Sequence, residues 1–306
     1  MTVGVAIITH NAKRHLFRCL APLLDSPLKP AIVVVNSSSD DGTVELAKDM
    51  GVDTLIIPRP EFNHGLTREL ARKYLNTDIV VMMTPDAYMT SHNTLSFLIA
   101  PLLEGKASVS YARQISHDGA GFFESFPRCF NYPPEDQLRG AEDRLTYGVY
   151  TYFCSNSCAA YLNSALDEIG GFRHVLLGED TLAVAMLLKN GHKIAYRAKA
   201  LVKHSHKYSL KQEFQRNFDT GLARKSYKKH FAGSSDTGRG VLFFKAICKT
   251  LLRSRPYLLP YAIAHCSAKY TGYLMGAVFS FAPNRMKQIF SSQDFYWNSL
   301  QSAKKR

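Results

Sequence analysis

Four short apolar runs before residue 84 are separated by stretches whose apolar residues recur at helical spacing, and this alternation constrains the fold more than any other feature. Val3-Gly4-Val5-Ala6-Ile7-Ile8, Ala31-Ile32-Val33-Val34-Val35, Thr54-Leu55-Ile56-Ile57 and Ile79-Val80-Val81-Met82-Met83 each read as strands. A strand that is apolar on both sides must be covered on both sides. The intervening residues 12–24, 43–50 and 66–75 supply the covering helices. Strands alternating with helices predict an α/β fold with a mostly parallel central sheet. In such sheets ligands bind outside the carboxyl ends of the strands. Three polar segments fall there: Thr9-His10-Asn11, residues 36–41, and Thr84-Pro85-Asp86-Ala87.

Further along, residues 115–150 are rich in Pro, Gly, aromatic and charged side chains, and they predict a long irregular functional loop. A strand is expected around 150–153, helices over 164–169 and 180–190, and a strand over 193–196. Beyond about residue 210 the pattern turns helical and basic. The expected division is an α/β domain over 1–210 and a helical region over 211–306. Charge follows a similar boundary. Residues 1–202 carry 19 Lys+Arg against 21 Asp+Glu, whereas residues 203–306 carry 19 against 4. Such a basic tail points to a polyanion, and a nucleic-acid-binding protein is one reading of it. The balanced first two-thirds argue against nucleic acid, because no basic stripe interleaves with the polar segments.

Several classes are excluded by what the chain lacks. An apolar fraction of 46% with 21% charged residues rules out wholesale disorder. The first strand is not followed by GxGxxG, and GxxxxGK[ST] does not occur, which argues against a dinucleotide site and a P-loop. Six scattered cysteines, of which only Cys154 and Cys158 are near neighbours, do not make a zinc motif. The opening residues MTVGVAIITHN read as no signal peptide, and no apolar run reaches the length of a bilayer span. A cytosolic protein with free thiols is expected.

The candidate chemistry lies in five places. Asp86 follows a fully apolar strand, so the fold delivers a carboxylate to the ligand edge. One carboxylate with diphosphate oxygens suits Mg²⁺ or Mn²⁺, which prefer hard oxygen donors. His204-Ser205-His206 puts two imidazoles on one side of an extended segment, as ligands or as structural groups. In Phe62-Asn63-His64-Gly65-Leu66-Thr67-Arg68 the glycine at a helix start and Arg68 suit an anion, and a capped helix with a solvated arginine suits them equally. Residues 36–41 offer hydroxyls and acids to a nucleoside, or Asp41 and Ser39 cap the helix near Thr43. Gly178-Glu179-Asp180 opens a helix, where an acid serves as a cap or as a general base.

Taken in order, T-x-N, V-V-N-S-S-S-D-D-G-T, F-N-H-G-L-T-R, T-P-D-A, Arg113-Gln114, G-E-D and H-S-H-K-Y-S-L resemble family 2 glycosyltransferases of the GT-A fold. The chain is most similar to bacterial rhamnosyltransferases that use dTDP-L-rhamnose, over about residues 3–221. Asn36 stands where the family usually has Asp, and Thr84-Pro85-Asp86 where it usually has a carboxylate pair or Q-D-A. The resemblance implies that Thr9, Asn11, Asn36, Ser38 and Asp41 hold the nucleoside, and that Asn63, His64, Arg68, Arg113 and Gln114 belong to the nucleotide-sugar site. It implies further that Asp86 binds Mg²⁺ or Mn²⁺ with His204 or His206, and that Asp180, beside Glu179, is the base of an inverting transfer. A UDP-hexose or UDP-hexosamine donor is the alternative within the family, and a catalytically dead binder a further one. The tail, where Lys and Arg interleave with apolar and aromatic residues, suits helices lying on an anionic membrane, or a subdomain packed on the core. An acceptor on a lipid-linked cell-surface saccharide, and a peripheral location at the inner face of the cell membrane, go with the membrane reading.

Overall fold

The computed structural model describes residues 1–231, 237–293 and 295–297. Among them nine strands form one sheet: β1 (Val3–Thr9), β2 (Ala31–Asn36), β3 (Asp53–Ile56), β4 (Ile79–Met83), β5 (Tyr88–Met89), β6 (Val109–Ile115), β7 (Gln137–Arg139), β8 (Cys158–Leu162) and β9 (Ile194–Lys203). Their order is β3-β2-β1-β4-β8-β6-β9-β5, with β7 on β9. β1 to β4 pair in parallel. β8 runs antiparallel between β4 and β6, and β9 is parallel to β6, so β6 and β9 point the same way as β1. β5 and β7 oppose β9. The sheet is mostly parallel, and the antiparallel β8 divides its two halves.

The helices are α1 (Lys13–Leu24), α2 (Thr43–Asp49), α3 (His64–Leu75), α4 (Thr94–Leu103), α5 (Phe122–Asn131), α6 (Arg144–Tyr147), α7 (Asn163–Glu168), α8 (Glu179–Lys189), α9 (Leu210–Ser226), α10 (Thr237–Ser254), α11 (Leu259–Val278) and α12 (Asn284–Phe290). Alternation along β1 shows how they cover the sheet. Val5 and Ile7 join a core with Leu16 and Leu20 of α1 and Leu98 of α4. Ala6 and Ile8 face the opposite core, with Ala71 of α3, Leu166 of α7 and Val184 of α8. Continuous apolar runs thus become strands buried on both faces.

Two expectations fail in residues 115–153. The segment read as irregular contains α5, a ten-residue helix. Its Pro127 and flanking glycines hide the periodicity, and its apolar face is completed from far along the chain. Phe126 meets Phe243 of α10 edge-on, with ring centroids 5.4 Å apart, and Phe123 meets Tyr261 of α11 at 4.7 Å. The strand expected at 150–153 is instead a 3-10 turn, Gly148–Tyr152. Arg139, fully buried, donates to the carbonyls of Tyr150 and Phe153, taking acceptors that a ladder would have used.

The C-terminal helices are anchored by close backbone approach. A Cβ at Gly272 or Gly276 of α11 would overlap the carbonyl oxygen of Phe214 or Phe218 on α9. Side-chain-free positions four apart let the two backbones touch along one stripe. Glu213 of α9 adds a buried contact to His265 Nε2 at 3.1 Å. On its outer side α11 exposes Ile263, Tyr270, Leu274 and Val278. No helix among the described residues is long and apolar enough to cross a membrane. Replacing Gly276 by Val should force α11 off α9 and lower stability by about 1–3 kcal/mol, as overpacking does. Thermal unfolding checks this, and an unchanged midpoint would show that the pair tolerates separation.

Candidate functional site

The carboxyl edge of β4 delivers Asp86, and the end of β9 leads into His204 and His206. The imidazole Nε2 atoms lie 3.5 and 3.4 Å from Asp86 Oδ2. Among the described residues this is the grouping of three His, Cys, Asp or Glu side chains with ligand atoms close enough for a metal ion, all within 4.8 Å of one another. Gln114 of β6, buried, orients the first ring. Its Nε2 donates to Ser155 Oγ at 2.9 Å, which turns its carbonyl oxygen to accept from His204 Nδ1 at 2.9 Å. With the proton held on Nδ1, the Nε2 lone pair faces Asp86, the usual arrangement behind a metal-binding histidine. Burial pushes the His204 pKa down, and burial with the charge of His204 pushes His206 down to about 3. Burial opposes ionisation of Asp86, but whenever the rings are protonated a hydrogen bond from His204 and the charges of both histidines pull it well below the usual carboxylate range. An ionised carboxylate beside two neutral imidazoles is the donor set for a divalent cation.

A second cluster forms where α3 meets α8. Arg68 Nη1 lies 3.2 Å from Glu179 Oε1, and their side chains are 4% and 6% exposed. Arg68 also donates to the His64 carbonyl at 2.9 Å. Its guanidinium is neutralised inside the fold and not solvated. Asn63 caps α3 by accepting from the Gly65 and Leu66 amides, and its own amide donates to the Val175 carbonyl at 2.8 Å. The open side of Gly65 is filled by the Arg173 carbonyl, where any Cβ would overlap it. That junction packs chain against chain, and the Asn63 cap takes up the Gly65 and Leu66 amides. His64 Nε2 sits 3.2 Å from Gln293 Oε1.

Asp180 follows Glu179 and is half-buried. It accepts from the Asn156 amide at 3.1 Å and the Thr181 amide at 2.6 Å. Burial, then the neighbouring charge of Glu179, pushes its pKa up to about 6, whereas Arg68 and His64 hold Glu179 below its ordinary value against its burial. The tripeptide Ser155-Asn156-Ser157 joins the two clusters. Asn156 Nδ2 donates to Glu179 Oε1 at 3.0 Å, and Ser157 Oγ lies 3.5 Å from His204 Nε2. Sequence reasoning missed this tripeptide. Its one signal is a polar run between two apolar segments.

The loops after β1 and β2 form a single hydrogen-bonded unit. Asn36 donates to Thr9 Oγ1 at 3.0 Å and to Ser39 Oγ at 2.7 Å. The Asn11 amide donates to Ser39 Oγ, and the Asp40 amide to Asn11 Oδ1. Ser38 donates to the Ile57 carbonyl. Asn11 and Ser38 hold left-handed backbone, φ 48° and 53°, which costs non-glycine residues energy and tends to mark ligand-edge turns. Asp41 takes the Lys13 amide at 2.9 Å and the Thr43 amide at 3.0 Å, so it caps the starts of α1 and α2 together. Arg113 stands on β6 immediately after a register shift. Tyr88, His15 and His117, absent from the sequence reading, add a ring beside Asp86, with Tyr88 4.8 Å from His117 and in hydrogen-bond contact with His15 Nδ1.

Residues 4–170 match the model of Glycosyl transferase family 2. The O-antigen chain rhamnosyltransferase RfbN of Salmonella typhimurium is 33% identical over 308 residues, 98% of either chain. The O-antigen chain rhamnosyltransferase WbaN of Salmonella anatum is 34% identical over 275 residues, 88% of this chain and 87% of its own. Among solved structures, the mannosyltransferase PcManGT from Pyrobaculum calidifontis, in complex with GDP-Man and Mn2+, superposes with a TM-score of 0.59 at 16% identity, covering 98% of this chain and 86% of that one.

The buried ion pair yields a stability prediction. Arg68→Met leaves Glu179 buried without its partner and should cost about 3–5 kcal/mol. Adding Glu179→Gln should return part of the loss. Denaturant unfolding of both variants checks it, and equal stability of Arg68→Met and the native chain would contradict it.

Proposed function

Because the chain belongs to glycosyl transferase family 2, we propose that it transfers L-rhamnose from dTDP-L-rhamnose to a hydroxyl of a lipid-linked bacterial cell-surface saccharide, with inversion at the anomeric carbon. Membership makes it a glycosyltransferase, and its fold is GT-A. Two O-antigen chain rhamnosyltransferases related over most of their length support the choice of sugar and acceptor. The observation that carries the mechanism is the pairing of two opposite environments across Ser155-Asn156-Ser157. On one side an ionised Asp86 faces two neutral imidazoles; on the other Asp180 is held with a raised pKa.

In this reading the loops bearing Thr9, Asn11, Asn36, Ser38 and Asp41 flank the nucleoside, and Arg113 and Gln114 belong to the nucleotide-sugar site. Asp180 takes the proton from the acceptor hydroxyl. The acceptor oxygen bonds to the anomeric carbon as the bond from that carbon to the diphosphate oxygen breaks. The electron pair leaves with the nucleotide diphosphate, and a single displacement inverts the centre. A Mg²⁺ or Mn²⁺ ion held by Asp86, His204 and His206 would neutralise the charge building on the diphosphate. Arg68 and Glu179 act through position, by fixing the first turn of α8. The base works as a carboxylate, so activity should fall as pH drops through about 6.

Release of nucleotide diphosphate from dTDP-L-rhamnose, UDP-glucose and UDP-N-acetylglucosamine, with and without EDTA, tests the proposal. The rhamnose donor should be fastest and EDTA should abolish release. Asp180→Asn should lose at least about 100-fold in turnover, with donor affinity kept by calorimetry. Faster UDP-sugar turnover would leave only the family. Full activity after EDTA would remove the metal, and near-normal Asp180→Asn would remove the base.

The C-terminal helices support a location at the inner face of the cell membrane as a peripheral protein. Lys245, Lys249, Arg253 and Arg255 are exposed beside Leu252, Tyr257 and Ile263, the mixture that binds anionic head groups while burying apolar side chains. Each basic residue near such a surface contributes about 1 kcal/mol. Since the inner face of α11 is packed on α9, the test changes surface charge and keeps the helices. Full-length protein should co-sediment with anionic vesicles at low salt and be released at high salt. Replacing the four basic residues by Glu should keep it in the supernatant. Native protein that fails to sediment at low salt would end the membrane reading.

A further inference from the structure

We infer that residues 291–293, near the C-terminus, form a positioning strap for the transfer reaction, tying α9 to the first turn of α3 and through it to the carboxylates of α8. The inference rests on the reading of Asp180 as the base. Its anchor is Asp219 of α9, which is fully buried. Asp219 accepts from Ser291 Oγ at 2.6 Å, the Ser292 amide at 2.9 Å and Ser292 Oγ at 2.7 Å. A buried carboxylate is costly unless hydrogen-bonded, and these donors all come from the strap. Helix α9 and the strap are therefore placed together. Ser291 Oγ also accepts from the Gln293 amide at 3.0 Å, a turn that buries the Gln293 side chain against His64. Just beyond, the ring of Phe295 lies edge-on to Phe62 at 4.9 Å and to His64 at 5.5 Å.

His64 is where a small movement would matter. It opens α3 between Asn63, which holds Val175, and Arg68, which holds Glu179 and donates to the His64 carbonyl. Val175 lies in the loop that leads into Gly178-Glu179-Asp180. A shift at His64 is passed to both ties, and so to the direction in which Asp180 points. Among the described residues the hydrogen bonds and ring contacts of the strap do not reach Asp86, His204 or His206. The strap should accordingly act on the chemical step and leave the metal end of the donor site alone.

Gln293→Met keeps the volume and removes the acceptor for His64, whereas Gln293→Glu keeps the acceptor. In the full chain, Gln293→Met should lower kcat by about 10-fold to 100-fold, the scale of a small misplacement of a catalytic group, with the donor KM nearly unchanged. The acid limb of its pH profile should move to lower pH, because a shift at His64 disturbs the Arg68 contact that sets Glu179 beside Asp180, and a more distant negative charge raises the Asp180 pKa less. Gln293→Glu should recover most of kcat. Amide hydrogen exchange, which needs no donor, should quicken at residues 63–66 and 174–180 in Gln293→Met. Native exchange at both segments, native kcat, or equal impairment in Gln293→Glu would each overturn the strap. A chain that turns over no sugar nucleotide would sink the transferase reading instead, and exchange would still decide the strap by itself.

Discussion

A guanidinium and a carboxylate sealed together in the interior, Arg68 and Glu179, are what the rest of the site depends on. Each ion alone would cost several kcal/mol to bury, so neither helix carrying one of them can settle without the other. The pair fixes α8 against α3 in one register. It also leaves the residue after Glu179, Asp180, partly exposed and beside a permanent negative charge. Position and proton affinity of Asp180 thus come from the same contact. Around it gather the Asn63 cap, the Arg173 carbonyl lying over Gly65, and the Asn156 amide group that completes Glu179.

Asp86 and Asp180 show how one fold gives two carboxylates opposite properties. Asp86 lies among histidines at the end of β4, and their influence outweighs burial. Asp180 has no such neighbours, and burial with Glu179 beside it outweighs the two amides it accepts from. Divergent environments of this kind separate a permanently ionised ligand from a group able to exchange a proton near neutrality. Ser155-Asn156-Ser157 spans both, so the two halves of the site are set by one short segment leading into β8.

The C-terminal region divides its two faces between different tasks. Inward, Gly272 and Gly276 bring α11 against the backbone of α9, and Glu213 meets His265. Outward, apolar and basic side chains remain uncovered. The two readings of the tail, a packed subdomain and a surface-binding helix, describe opposite sides of the same elements. A segment beyond α12 then returns to α3, so the basic third of the chain reaches the site that the first two-thirds build.

Much of this was legible before any coordinates. Apolar runs covered on both sides identify β1, β2 and β4, and helical spacing between them identifies α1 to α3, because these signals reside in neighbouring residues. The same logic brings Asp86 to the ligand edge and marks His204, His206 and Asp180 as candidates. What failed was everything decided by partners distant in sequence. The helix α5 is completed by Phe243 and Tyr261, and Arg139 turns an expected strand into a 3-10 turn. Arg68 reads equally well as a phosphate ligand or a solvated residue until Glu179 is found against it. The amino-acid sequence by itself determined the four parallel strands β1 to β4 and which carboxylates and imidazoles stand at the sheet edge, since periodicity and strand ends are local, whereas β6 and β8 were recognised only in the fold. Tertiary structure alone decided which of those groups are charged, neutral or already paired, because burial and ion pairing depend on residues that only folding brings within 4 Å.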